Sequence, residues 1–262
     1  MIREFIVSHE DMAPRLFNWA RYFKHVVVGR SMTYPDILGP MFEKMGAREL
    51  HAIDVGANAG IFTRYLSKYF ARTHAIEPIP HLARRLEYMP RARVSVYNCA
   101  LGANDGEITM RTPLDARGKR MDALTTASLD NNFELFGHNG TVETVVKQHR
   151  LSSLIGADAK VGFIKIDVEG FENQVIEGAL EMLARDRPVL LIEISRTHNP
   201  NYLALLEHLV SLDYHGYLIS KTGCTEGVET AIRDQPDSME HENFDAPEPQ
   251  WDFIFFPSKN YI

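Results

Sequence analysis

An apolar segment that ends in an acid and continues into a glycine-rich turn occupies residues 53–60, IDVGANAG. Gly56 and Gly60 allow the backbone to turn tightly and to approach a ligand closely. Asn58 tolerates a left-handed conformation better than most residues. The next apolar segment ends at Glu77, whose carboxylate can accept hydrogen bonds from two ribose hydroxyls. These residue types at this spacing predict a site for a cofactor that contains a nucleoside.

The glycines of this turn distinguish two such cofactors. A dinucleotide site favours G-x-G-x-x-G, but Asn58 and Ile61 stand at two of its glycine positions. S-adenosylmethionine has no pyrophosphate, and it needs one acid for its ammonium group and another for its ribose. Asp54 and Glu77 suit these two tasks. We therefore expect S-adenosylmethionine rather than a nicotinamide dinucleotide, and the alternative is a turn that only connects a strand to a helix.

A second group of charged residues lies in FIKIDVEGFE, residues 163–172. Alternation along a strand puts Lys165 and Asp167 on the same face. A lysine within an apolar strand needs a partner, because an unpaired buried ammonium is costly. Glu193 is the expected partner, in a pair that fixes the sheet or as part of an active-site floor. Asp167 and Glu169, at the carboxyl end of the strand, are expected to line the site.

S-adenosylmethionine is a methyl donor, and transfer of its methyl group to an alcohol would require alignment of the reacting groups and removal of a proton. Asp167, Glu169 and His198 are the candidate bases, because each lies at or just beyond the carboxyl end of a predicted strand. A solvated loop histidine is the simpler interpretation of His198. Asp167 could also hold a divalent metal together with Glu193 or Glu169. The sequence offers no supporting Asp/Asn cluster, so we expect no metal.

Short apolar runs alternate with amphipathic helical stretches from about residue 50, which indicates βαβ units. The predicted strands are residues 50–55, 73–77, 93–98, 161–167, 188–194, 214–220 and 251–257. The predicted helices are residues 60–70, 79–88, 171–185 and 200–212. The pattern predicts an α/β fold with a doubly wound, mostly parallel, seven-stranded Rossmann-like sheet.

The remaining segments interrupt this rhythm. Residues 1–49 are predicted as a helical N-terminal extension or cap, and residues 50–262 as the Rossmann-like domain. Within residues 105–150 we expect a turn, a short strand EITMRT, a polar loop and a further strand VETVVKQ. Residues 221–250 are predicted as a long surface loop because of their glycines, prolines and acids. The last two segments follow strand carboxyl ends, where open α/β sheets bind ligands.

Six motifs in order resemble the FkbM family of methyltransferases from about residue 50 to 195. They are IDVGANAG, AIEP (75–78), NCALG (98–102), NDGE (104–107), FIKIDVEGFE and LLIEI (190–194). The resemblance implies a Rossmann-like methyltransferase that uses S-adenosylmethionine and mostly methylates hydroxyl oxygens. The family's known substrates are sugars of glycans and secondary-metabolite scaffolds. A small-molecule, sugar or glycan acceptor is therefore expected.

The resemblance also assigns site residues. The expected cofactor-binding set is Asp54, Gly56, Asn58, Gly60, Glu77, Pro78, Ala100, Ser128 and Asp167. The chain departs from the family pattern at Ser152, where an aspartate usually stands. If that aspartate caps a helix, serine can do the same; if it touches the acceptor, the substrate class differs.

Bulk properties limit the alternatives. A net charge of −7 disfavours a nucleic-acid methyltransferase, which also commonly carries an Asn/Asp-Pro-Pro-aromatic element that IDVEG does not match. Cys99 and Cys224 show no CxxC or Cys/His spacing typical of a metal site. We interpret them as ordinary thiols of a reducing compartment. No apolar run approaches 18 residues, so we expect no membrane span and, by default, a cytoplasmic location. A catalytically inactive cofactor-binding scaffold is the other alternative. Residues 10–29 have enough apolar surface to form the interface of a homo-oligomer.

Overall fold

The computed structural model describes residues 35–89, 93–115, 117–128, 140–220, 223–235 and 251–258. Its strands are β1 His51–Val55, β2 Arg72–Ile76, β3 Val94–Tyr97, β4 Ala100–Leu101, β5 Gly106–Pro113, β6 Thr141–His149, β7 Val161–Ile166, β8 Val189–Glu193, β9 His215–Ser220, β10 Gly223–Thr225 and β11 Asp252–Phe256. Its helices are α1 Pro35–Lys44, α2 Ile61–Leu66, α3 Pro80–Leu86, α4 Leu151–Leu154, α5 Glu172–Glu177, α6 Leu180–Asp186, α7 Tyr202–Ser211 and α8 Val228–Arg233. Two 3₁₀ turns lie at Ala47–Glu49 and Asp122–Leu124.

Eight strands form the main sheet in the order β10-β9-β11-β8-β7-β1-β2-β3. The strands from β8 to β3 in this order pair in parallel, whereas β11 and β10 pair antiparallel to their neighbours. The prediction of an α/β fold with a doubly wound, mostly parallel sheet is therefore confirmed. The predicted count of seven strands is wrong by one.

The additional strand is β10, which forms the edge of the sheet next to β9. It falls within residues 221–250, which we predicted as a surface loop, and α8 falls there too. Three residues are too few to show an alternating pattern, and the glycines around them read as loop signals. Residues 236–250 of the predicted loop lie outside the described residues.

The strand order reverses between β1 and β7. The chain runs from β1 outward through β2 to β3, and it returns through β7 to β8 on the other side. The amide of Asp167 donates to the carbonyl of Val55 (3.1 Å), so the carboxyl ends of the two strands meet. Such a switch point leaves a crevice outside the carboxyl ends of the strands, which is where open α/β sheets bind ligands.

A separate three-stranded sheet, in the order β4-β6-β5, stands beside this crevice. The two strands predicted within residues 105–150 are confirmed as parts of β5 and β6, which pair antiparallel over eight residues. β4 pairs with β6 in parallel. The two-residue strand Ala100–Leu101 was not predicted, because so short a segment has no recognisable period.

Buried aromatic side chains hold α1 against one face of the main sheet. Leu38 and Phe42 of α1 are fully buried, and the ring of Phe42 lies 4.9 Å from those of Phe70 and Phe163. The described part of the predicted N-terminal extension is thus helical and packs on the sheet, while residues 1–34 lie outside the described residues. No helix among the residues described is long and apolar enough to cross a membrane.

Candidate active site

A pocket of about 280 Å³ opens at the carboxyl ends of β1, β2 and β7, where the strand order reverses. It is close in size to the smaller small-molecule sites of proteins, about 300 Å³. Seven of the predicted site residues line it: Gly56, Asn58, Glu77, Pro78, Ala100, Asp167 and Glu169. The sequence motifs therefore converge on one cavity.

The glycine-rich turn after β1 brings its backbone against the turn after β7. Gly56 has a left-handed backbone (φ 75°), and a Cβ atom there would overlap the carbonyl oxygen of Asp167. The amides of Gly56 and Ala57 both donate to the carbonyl of Ile76 (3.0 Å each). Asn58 is also left-handed (φ 47°), as expected. This turn therefore joins all three strands that border the pocket.

Glu77 is held by backbone amides on both of its oxygens. The amide of Asn58 donates to Oε2 (2.7 Å) and that of Ile79 donates to Oε1 (2.8 Å). The side chain is buried, and burial raises the pKa of this carboxyl to about 7. Each carboxylate oxygen has a second lone pair. The carboxylate is thus oriented and can still accept hydrogen bonds from a ligand in the pocket.

Asp54, by contrast, is not among the described residues that line the pocket. It is fully buried, and the Thr63 hydroxyl donates to its Oδ2 (2.5 Å). No described residue is hydrogen-bonded to Oδ1, and burial raises the pKa of the carboxyl. The structure places Asp54 behind the turn, where it pairs in register with Lys165. A direct contact with a cofactor ammonium group, as expected from the sequence, is not supported by this position.

Three further predicted residues lie outside this pocket. Gly60 serves helix packing, since a Cβ atom there would overlap Met89 and Leu86. The amide of Ser128 donates to the Thr126 hydroxyl (2.9 Å), and the residue lines a neighbouring cavity. His198 is 2% exposed, so the interpretation of a solvated loop histidine is wrong.

Lys165 forms its ion pair with Asp167 and not with Glu193, which corrects the predicted pairing. Its ammonium lies 2.6 Å from Asp167 Oδ2. The pairing of β7 with β8 puts Lys165 opposite Leu191. Glu193, the expected partner, lies two residues further along β8. Burial alone would lower the pKa of Lys165. The carboxylates of Asp167, Asp54 and Glu193 outweigh burial and raise the pKa.

Glu193 lines the same pocket as Asp167 and Glu169. The charge of Asp167 and the burial of the site raise the pKa of Glu193 well above its usual value, and Asp252 and Glu169 add to this effect. From the sequence, Lys165 and Glu193 were expected to form either a buried ion pair or part of an active-site floor. The position of Glu193 in the pocket lining fits the second interpretation. The buried ion pair is formed by Lys165 with Asp167 instead.

Glu169 contacts His198, with 2.5 Å between Oε2 and Nδ1. Burial raises the pKa of Glu169, although the contact with His198 opposes this shift. Burial would lower the pKa of His198, but its hydrogen bond and ion pair with Glu169 raise it. Glu169 has a left-handed backbone (φ 54°). The loop thus presents a carboxylate to the pocket, with a buried histidine in contact behind it.

Two buried polar residues that support the loops beside the pocket without lining it were not predicted. Glu172 is buried, and its carboxylate accepts from the Gly170 amide (2.9 Å) and the Asn199 side chain (2.7 Å). Burial raises its pKa to about 7. Gln235 accepts from the amide of Arg196 (2.7 Å) and donates to the carbonyl of Ile194 (2.7 Å). Glu172 stands in the FIKIDVEGFE motif and could have been singled out, whereas Gln235 had no signal.

Asp122 lines the pocket from the 3₁₀ turn after β5. Its Oδ2 lies 2.8 Å from Nε2 of His81, on α3, and its Oδ1 accepts from Arg120 Nε (3.0 Å). These contacts tie the segment after β5 to the helix that follows Glu77. The stretch that we predicted as a polar loop therefore forms part of the pocket wall.

Residues 54–219 match the Methyltransferase FkbM domain family. The match covers more than half of the chain, and the chain therefore belongs to the FkbM methyltransferase family. Membership implies S-adenosylmethionine as the cofactor. No curated protein matches the chain.

Solved methyltransferases are similar to the chain at low identity. Methyltransferase FkbM from Methylobacillus flagellatus KT is 17% identical (TM-score 0.47), over 80% of this chain and 44% of that one, so the chain spans less than half of its length. An rRNA methylase from Streptococcus thermophilus is 11% identical (TM-score 0.44), over 86% and 96% of the two chains. A TehB-like SAM-dependent methyltransferase from Corynebacterium glutamicum is 13% identical (TM-score 0.45), over 92% and 97%. None of these similarities assigns an acceptor.

The residues of the pocket fit S-adenosylmethionine. Glu77 offers two oriented carboxylate oxygens for ribose hydroxyls, and Gly56, which also lines the pocket, lets the turn after β1 pack directly on the turn that carries Asp167. Glu77, Asp167, Glu169 and Glu193 line the pocket, and no lysine, arginine or histidine is among its described lining residues. An acidic cleft favours a cationic ligand such as a sulfonium compound.

Among the residues that the structure describes, no group of three or more His, Cys, Asp or Glu side chains is arranged to hold a metal ion. The expectation of a reaction without a metal stays a prediction.

Proposed function

We propose that the chain is an S-adenosylmethionine-dependent O-methyltransferase that acts on a hydroxyl group of a small molecule, a sugar or a glycan. The observation that carries this proposal is the Glu169 carboxylate, which lines the pocket together with Asp167 and contacts the buried His198. A carboxylate so placed can take the proton that a hydroxyl group loses as its oxygen attacks. Burial raises the pKa of Glu169, and a more basic carboxylate accepts a proton more readily.

The other residues bind and orient. Glu77 accepts hydrogen bonds from the ribose hydroxyls, and the amides of Asn58 and Ile79 keep its carboxylate in position. Asp167, held by Lys165, would face the methionine part of the cofactor. When bound, the cofactor supplies an electrophilic methyl group on a positively charged sulfur.

With S-adenosylmethionine bound, the acceptor oxygen would bond to the methyl carbon as the carbon–sulfur bond broke, and sulfur would keep the electron pair of that bond. Glu169 takes the hydroxyl proton. His198 shares it across the 2.5 Å contact and limits the cost of the charge change in a buried site. Alignment of acceptor, carbon and sulfur supplies much of the rate.

The proposal is tested by incubating the protein with methyl-labelled S-adenosylmethionine and a panel of glycans, hydroxylated metabolites and RNA. We expect label in a hydroxyl compound and none in RNA. Label in RNA alone would replace the proposed acceptor class with nucleic acid. Tight binding of the cofactor without transfer to any compound would instead favour a catalytically inactive cofactor-binding scaffold.

A further inference from the structure

A second cavity of about 250 Å³ lies next to the cofactor pocket. Five uncharged polar side chains line it: Ser128, Asn173, Gln174, Asn199 and Asn201. Its remaining described lining residues are Gly170, Pro200 and Ala204, so this lining includes neither a charged nor an aromatic side chain. We call this space the amide cavity.

Asn199 is built into the amide cavity rather than lying loosely on its surface. The side chain is 2% exposed, and its Nδ2 donates to Glu172 Oε2 (2.7 Å) and to Asn173 Oδ1 (2.9 Å). These two bonds use both hydrogens of the amide nitrogen. The structure gives Oδ1 no hydrogen-bond partner among the described residues, so this oxygen remains an acceptor in the lining of the cavity.

The amide cavity and the cofactor pocket share a wall. Ala127 lines the cofactor pocket, and the next residue, Ser128, lines the amide cavity. Glu169 and Phe171 likewise line the cofactor pocket, and Gly170 between them lines the amide cavity. A Cβ atom at Gly170 would overlap the carbonyl oxygen of His198, so no side chain can occupy that position of the wall. The proposed base therefore stands at the boundary between the two spaces.

Amide groups select for a particular ligand chemistry. Each donates and accepts hydrogen bonds and carries no charge, so hydroxyl and amide groups of a ligand are matched. A charged ligand would lose water without gaining a counter-ion. An apolar ligand would leave the Oδ1 of the buried Asn199 without a partner.

We infer that the amide cavity binds the body of the methyl acceptor, and that this acceptor is an uncharged compound with several hydroxyl or amide groups. This inference rests on the proposed function, because it places the acceptor beside Glu169. The described lining offers no counter-ion to a charged acceptor and no aromatic ring to a flat aromatic one.

The test uses side-chain amide signals in nuclear magnetic resonance spectra of the full chain saturated with S-adenosylhomocysteine. The probes are a panel of neutral methyl glycosides, with glucuronate and glucosamine as charged counterparts. We expect the signals of Asn173, Gln174, Asn199 and Asn201 to shift with at least one neutral probe and not with the charged ones. Equal shifts with the charged probes, or no shift with any probe, would overturn the inference.

Gln174 and Asn201 are exposed lining residues, so substitutions there test binding without removing a buried side chain. Gln174→Ala and Asn201→Ala should each weaken binding of the neutral probe about fivefold, the effect of one lost hydrogen bond. Asn104→Ala, at an exposed turn of the small sheet, should leave it unchanged. Equal affinity in all three variants would mean that the probe binds elsewhere.

Calorimetry with S-adenosylhomocysteine separates this inference from the proposed function. If the cofactor product binds but no probe shifts the amide signals, the inference fails and the cofactor site stands. If a probe shifts those signals while S-adenosylhomocysteine does not bind, the proposed function fails, and with it the role of the cavity as an acceptor site.

Discussion

The carbonyl oxygen of Asp167 lies where a side chain on Gly56 would begin. Gly56 follows β1 and Asp167 follows β7, so the two turns at the switch point of the sheet are in direct backbone contact. The shape of the cofactor pocket therefore depends on one residue having no side chain.

Gly56→Ala should weaken binding of S-adenosylhomocysteine about tenfold or more, which corresponds to about 1.4 kcal/mol. The added methyl group must displace the turn that carries Asp167. Gly118→Ala is the matched control, because Gly118 has nearly the same φ (74° against 75°) but open space around an added Cβ. Calorimetry compares the two variants, and equal losses would attribute the effect to backbone strain alone.

Glu77→Ala should weaken cofactor binding by about 1–3 kcal/mol, because buried ribose hydroxyls would lose a charged acceptor. The exposed Glu87→Ala, just beyond α3, serves as the control and should bind as the parent protein does. An unchanged affinity in Glu77→Ala would remove Glu77 from the cofactor site.

Cofactor affinity should also depend on pH through Glu77, whose pKa is about 7 in the free protein. Hydrogen bonds from ribose favour the carboxylate and lower this pKa, so binding releases a proton. Affinity should thus rise with pH, by up to about tenfold per pH unit, and level off above 7. Titrations from acidic to alkaline pH should show this slope in the parent and a flatter one in Glu77→Gln; identical slopes would contradict the assignment.

Glu169→Gln should reduce turnover by about 10²–10⁴-fold and leave cofactor affinity nearly unchanged, because it removes a base and keeps the shape. Asp167→Asn should damage both quantities, since it weakens the contact with Lys165. His198→Gln should shift the pH dependence of turnover more than cofactor affinity. Full activity in Glu169→Gln would leave alignment alone to account for the rate.

Lys165→Met should destabilise the fold by about 3–5 kcal/mol, because it leaves buried carboxylates without their cation. Adding Asp167→Leu should recover more of this loss than adding Glu193→Leu, since the ion pair joins Lys165 to Asp167. Chemical unfolding of the single and double variants measures the difference. Additive losses in the Lys165–Asp167 cycle would show that the two residues do not interact.

Chelation tests the expectation that the reaction proceeds without a metal. Activity should be the same with and without EDTA, and added magnesium should not raise it. A loss of activity with EDTA that magnesium restores would overturn this expectation and turn attention to the carboxylates around Asp167.

The part of the site that could be predicted from the sequence depends on local rules. A glycine-rich turn after an apolar strand located Gly56 and Asn58, and alternation placed Lys165 and Asp167 on one face of β7. The acid at the end of the next strand located Glu77. All of these depend on the period of a strand or on its end, which neighbouring residues reveal.

The rest depends on register and on contacts between distant loops. Whether Lys165 meets Asp167 or Glu193 is decided by how β8 aligns with β7. The burial of His198 depends on the approach of two loops at Gly170. Residue spacing along the chain contains neither piece of information, and so the predicted pair and the predicted solvated histidine were wrong.

The close backbone contacts at Gly56 and Gly170 also bear on how such a chain can diverge. Both glycines fix the paths of the loops that carry Asp167 and Glu169, so substitutions there disturb the cofactor site. Gln174 and Asn201 line the amide cavity from exposed positions on α5 and just before α7. If the cavity binds the acceptor, its preference can change at these positions while the paths of the two loops stay the same.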